Sequence, residues 1–161
     1  MKLTNKESLM LQSLTMNQFL SELNNQMFME SSYFERMKFA NHQTKDILNQ
    51  TGLANPATMM MMLYGLLVVP YEMMAEDLKE LNSLVRELAD KAPARGNAVE
   101  CIKEAVANAD CEFVAEDGKN YALFGTDVKM EASKVGVLLN QLQIKVMMYF
   151  NKKALAERRV S

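Results

Sequence analysis

The sequence predicts a mainly α-helical protein: an elongated helical bundle built on a long antiparallel helix pair, with a small helix-plus-β-hairpin insertion. Three observations predict this. Apolar residues recur at alternating four- and three-residue steps through most of the chain, the spacing of a helix seam. The stretch from Met59 to Val69 carries no charge and is apolar on every side, so other helices, copies of itself or lipid must enclose it. Between Cys111 and Phe124 the period changes to strict alternation around an Asp-Gly reversal. A chain of 161 residues holds one ordinary domain. Residues 1–161 are therefore read as a single helical domain, with 92–126 as a small inserted subdomain.

Thr4, followed three residues later by Glu7, is a capping box that opens the first helix. From Met16 its seam runs through Phe19/Leu20, Leu23, Met27, Phe34, Met37 and Leu48, with Glu30, Asn41 and Thr44 as polar exceptions. Thr51-Gly52 stops it, giving a helix over about 4 to 51 in which the serine pair Ser31-Ser32 offers a break. Polar residues on a seam fix register and partner, the role expected of Glu30 and Asn41.

Asn55-Pro56 caps and starts a second helix to about Lys91. Its seam is Leu63, Leu67, Pro70, Met74, Asp77, Leu81, Leu84 and Leu88, with a kink expected at Pro70. The run 92–96 breaks the pattern. Asn97 and Glu100 then start a short helix through Val99, Ile102, Ala105 and Val106 to about Ala109. Cys111–Val114 and Tyr121–Phe124 follow as a hairpin across Asp117-Gly118. Gly125-Thr126-Asp127 caps a last helix, about 127 to 157, with the seam Val128, Ala132, Val135, Leu139, Leu142, Val146 and Tyr149. Lys152, Lys153, Arg158 and Arg159 sit where cations complement the carbonyl end of the helix dipole. The matching seams predict that the second and last helices pair antiparallel, with the first helix packed along them or along a neighbour.

Hydrophobic content of 49% with 24% charge describes a folded chain, and a net charge of −2 gives no general attraction to nucleic acid or to acidic membranes. The uncharged run from Leu53 to Tyr71 approaches the roughly 20 mostly apolar residues of a membrane span. Asn55, Pro56, Thr58 and Pro70 interrupt it, so a buried helix is preferred and membrane contact is the disfavoured alternative. The N-terminal residues lack a basic segment followed by an apolar core, which sets the default compartment as cytoplasmic. Fifteen methionines suit either an adaptable core or contacts that repack on assembly.

Little in the sequence carries chemistry. Two cysteines, Cys101 and Cys111, and one histidine without a CxxC pair exclude a usual zinc site, and no metal or cofactor is expected. No glutamate stands three residues before His42, so the di-iron bundle pattern fails. Nucleophile-elbow and Gly-rich phosphate motifs are missing. One pair remains: Arg36 and His42 resemble the R-x(4-6)-H signature of HEPN ribonucleases. That resemblance implies a histidine acid or base beside a charge-stabilising arginine. Six positions is an imperfect helical repeat, so such a site needs a dimer.

The seams Leu63–Leu88 and Val128–Tyr149, with Pro93–Phe124 between them, resemble the filament subunits of type III secretion systems, the EspA-like translocator proteins. That resemblance implies non-classical secretion and assembly into a filament. The sequence thus favours a non-enzymatic, self-assembling helical structural or interaction protein whose partner is itself or another helical protein. Its interface is expected at Met59, Met60, Leu63, Leu67, Met74, Leu81, Leu139, Leu142, Val146 and Tyr149. The alternatives are a monomeric helical binding module, such as a phage or mobile-element inhibitor or adaptor, and the HEPN-like ribonuclease.

Overall fold

Helix α1 (Asn5–Asn25) starts with the capping box that its sequence encodes. The Thr4 N–H donates to the Glu7 carboxylate at 2.8 Å, and the Glu7 N–H donates to the Thr4 hydroxyl at 3.2 Å. The computed structural model describes residues 3–25, 38, 41–44, 46 and 56–158. The expected continuation of the first helix through Glu30, the Ser31-Ser32 break, Phe34, Arg36, Met37 and Leu48 lies outside the described residues. Asn41 is exposed, and its side-chain oxygen accepts the Gln43 N–H at 2.9 Å.

The second helix differs from the expected kinked rod. It divides into α2 (Pro56–Leu63), a π-helical turn (Tyr64–Val68), α3 (Tyr71–Lys79) and α4 (Asn82–Leu88). The Val69 N–H reaches back five residues to the Tyr64 carbonyl at 3.0 Å. Pro70, which has no N–H to give, then starts α3 by accepting from the Met73 and Met74 amides. The segments on either side stand 92° apart. A bend of that size removes the long partner expected for the last helix. The helix running antiparallel to α6 (Ala132–Arg158) is α1: Ser21 meets Gln143, Gln18 meets Met147, and Glu7 meets Tyr149 and Lys153.

Helix α5 (Ala98–Ala107) is capped twice, by Asn97, which accepts from the Val99 N–H at 2.9 Å, and by Asn82 of α4, which accepts from the Ala98 N–H at 2.7 Å. The hairpin forms as β1 (Cys111–Glu116) and β2 (Lys119–Phe124), in register Cys111 opposite Phe124 to Glu116 opposite Lys119. Asp117 and Gly118 both have positive φ, +50° and +78°, matching the right-handed twist of the strands. A third strand, β3 (Val128–Glu131), corrects the expected start of the last helix. Val128 pairs with Phe124 and Glu131 with Tyr121, so α6 begins at Ala132 rather than 127. Lys91 bridges Lys129 beyond β3.

The chain is therefore mainly helical with a small three-stranded antiparallel sheet of order β1-β2-β3. Met10 and Leu14 of α1, Leu66 and Leu67 of the π turn, Val99 and Ile102 of α5, Phe124 of β2 and Leu138 and Leu142 of α6 belong to one buried cluster. Among the described residues no single helix is long and apolar enough to cross a membrane. Among those residues one pair of helices, bent by 92°, has span-like length and composition when taken together.

Candidate functional site

The ten residues expected at an interface are packed by the chain itself. Leu63, Leu67, Leu142 and Val146 are wholly buried, Met74, Leu81 and Leu139 nearly so, and Met59, Met60 and Tyr149 are half-buried against the same core. The physical reason is that a four-three row marks the covered face of a helix without saying which molecule covers it. Of the apolar run, Met61 and Tyr64 remain outside, 72% and 50% exposed.

Unpartnered apolar surface lies instead on the outward sides of α1 and α6. On α1 the inward residues are Glu7, Met10, Leu14 and Asn17, and the opposite side carries Leu9, Met16 and Phe19, each more than half exposed. On α6 the inward residues are Val135, Leu138, Leu139, Leu142, Val146 and Phe150. The opposite side carries Val137, Ile144, Met148 and Leu155, all exposed, with Met147 toward α1. With half-buried Gln141 and exposed Asn151 they form a second row at four-three spacing: Val137, Gln141, Ile144, Met148, Asn151, Leu155. That row was readable in the sequence, but the inner seam is more apolar and masked it.

Charge is sparse along this surface, with Lys134 and Arg158 three residues beyond the two ends of the α6 row. No charged residue occurs between Glu7 and Glu22 of α1. The lysines of α6 turn aside to acids: Lys134 to Asp90 at 3.5 Å, Lys145 to Glu80, and Lys152 to Asp77 at 3.6 Å. A contiguous exposed surface of this kind marks an interaction site more often than scattered apolar residues do.

Helix α1 is fixed on α6 at one end by polar contacts and, near its own middle, seats closely on the π turn. Glu7, 3% exposed, accepts from Lys153, from the Thr4 backbone and hydroxyl, and from the Tyr149 hydroxyl at 2.8 Å. The Lys153 bond first, then the Thr4 N–H, then Tyr149 hold its carboxyl down to about 2. Burial and the neighbouring Glu7 in turn push the Tyr149 phenol up. At the π turn, a Cβ added to Gly65 would stand 2.9 Å from the Ser13 Cβ, so only glycine lets α1 seat there.

The catalytic alternative is not assembled among the described residues. His42 is exposed, and Arg36 lies outside them. Cys101 and Cys111 are free and half-buried; burial pushes both thiols up, Cys111 to about 11, which opposes nucleophilic use. An open hollow beside α5 is lined by Glu100, Cys101, Glu104, Asp110 and Asp127, of which Glu100 is paired with Lys79 at 3.2 Å and Glu104 with Lys103. Among the described residues no cluster of three or more His, Cys, Asp or Glu side chains could hold a metal ion.

No family model, curated protein or solved structure matches the chain.

Proposed function

We propose that this protein is a non-enzymatic helical interaction protein that self-assembles through the outward faces of α1 and α6. One observation carries the reading: two adjacent antiparallel helices each expose an uncharged apolar row on the side away from the core. Burying several such side chains favours association by roughly 1.5 to 3 kcal/mol for each that becomes fully covered. The assembly is either closed or, as the likeness to type III secretion filament subunits implies, an open and elongated filament. Isologous contacts close on themselves, whereas heterologous contacts that fail to close propagate.

Size-exclusion chromatography with light scattering, followed by negative-stain imaging, tests the reading. A single discrete oligomer indicates the closed form, and a concentration-dependent ladder ending in fibres indicates the filament. A stable monomer at micromolar concentration overturns self-assembly. It would favour the second reading, a monomeric binding module, whose support is that the expected seam residues are already satisfied within one copy.

A further inference from the structure

Resting on the self-assembly reading, we propose that the outward α1–α6 face packs on the same face of a second copy, antiparallel, about one two-fold axis. That axis crosses α6 at the level of residue 146. The outer row of α6 reads alike from both ends about this point. Ile144 and Met148 lie equally far from it, as do Gln141 and Asn151, and Val137 and Leu155. An antiparallel copy therefore sets apolar against apolar twice and amide against amide once in each half. Paired amides within an apolar row fix register, because any slip buries an amide against an aliphatic side chain.

Helix α1 runs past the same level. The Gln18 amide touches the Met147 sulfur at 3.5 Å and the Gln143 amide meets the Ser21 hydroxyl at 3.4 Å, which in antiparallel helices places residues 18–19 of α1 level with residue 146 of α6. The exposed apolar α1 residue nearest that level is Phe19, with Met16 about one turn away. The axis that pairs Ile144 with Met148 of the second copy thus brings Phe19 near Phe19 of that copy. The two α1–α6 layers then form a four-helix contact in which every facing pair is antiparallel. A parallel in-register copy would also match amides, but it aligns the helix dipoles head to head, whereas the antiparallel one opposes them. The six residues of the row are uncharged, which suits burial against a second copy, and the cations Lys134 and Arg158 lie at its rim.

Site-directed disulfide formation tests the geometry, in full-length chains that also carry C101S and C111S. In the proposed pair, residue 137 of one copy faces residue 155 of the other, while the two copies of residue 137 lie about 27 Å apart at about 1.5 Å per residue. Mild oxidation of a mixture of V137C and L155C chains is expected to give a disulfide-linked dimer of the two, and V137C alone none. Ile144→Glu is expected to weaken association at least about 100-fold, because each glutamate is buried against Met148 of the other copy. Its helical circular dichroism should be unchanged, since Ile144 is exposed in the single copy. If the wild type is oligomeric but V137C links to itself, or the mixture does not link, the antiparallel pairing is wrong while self-assembly stands. If the wild type is a monomer, both fall.

Discussion

Helix α6 carries two rows of the same period on opposite sides, and they differ in chemistry. The inner row is Val135, Leu138, Leu139, Leu142, Val146 and Phe150, all buried and without a polar member. The outer row alternates Val137, Ile144, Met148 and Leu155 with the amides Gln141 and Asn151. Branched aliphatic and aromatic side chains suit packing that never opens. Amides and a flexible thioether suit a surface that must also tolerate water. Period tells that a helix face is covered; residue chemistry along the row tells whether that cover belongs to the fold or to a partner.

Substitutions one half-turn apart give the largest contrast. Leu142→Ala removes a wholly buried side chain and should destabilise the single copy by about 2 to 5 kcal/mol. Ile144→Ala, two residues on and exposed, should change single-copy stability by less than about 0.5 kcal/mol while weakening assembly. Urea unfolding at a concentration low enough to hold both variants monomeric measures the difference. Comparable losses at the two positions would mean that the outer row is also packed by the chain itself.

The same contrast accounts for what could be read in advance. The Thr4–Glu7 box, the Asn97 cap and the Asp117-Gly118 reversal are local chemistry, and each forms where its residues predict. The second helix departs from its sequence pattern because Pro70 signals an interruption but not its angle. The 92° turn depends on the π turn before it, and nothing in Tyr64-Gly65-Leu66-Leu67-Val68 announces a five-residue hydrogen bond. Strand β3 is hidden in the sequence because Val128 to Glu131 fits the start of the seam that follows. Its pairing with Tyr121–Phe124 is non-local. The outer rows of α1 and α6 were legible as residues but not as a site, since only the packed core shows which of two rows remains outside.

A smaller effect tests whether the inner side of α1 is as closely fitted as that of α6. Gly65→Ala places a methyl 2.9 Å from the Ser13 Cβ, and neither atom is the free end of a flexible chain. The π turn and α1 must separate by a few tenths of an ångström, at about 1 to 3 kcal/mol. Hydrogen exchange should show faster opening of α1 before the sheet loosens. Unchanged α1 protection would indicate that α1 is seated mainly by its polar end.

That polar end gives the mildest and most specific test. Glu7 titrates at about 2 in the folded chain against an ordinary 4.5, chiefly through Lys153, with Thr4 and Tyr149 adding to it. A folded value below the unfolded one means that the carboxylate's contribution is complete above about pH 5 and fades as pH falls from 4.5 toward 2. Glu7→Gln removes the charge but keeps the shape. Its stability deficit against wild type should be constant from pH 5 to 8 and close progressively below 4.5, as the wild-type carboxyl takes up its proton. Thermal unfolding followed at successive pH values measures the gap. A deficit that persists unchanged into acid would assign Glu7 to shape and capping alone. In that case α1 is held on α6 by the inner apolar residues Met10 and Leu14, the same kind of contact that fixes the rest of the core.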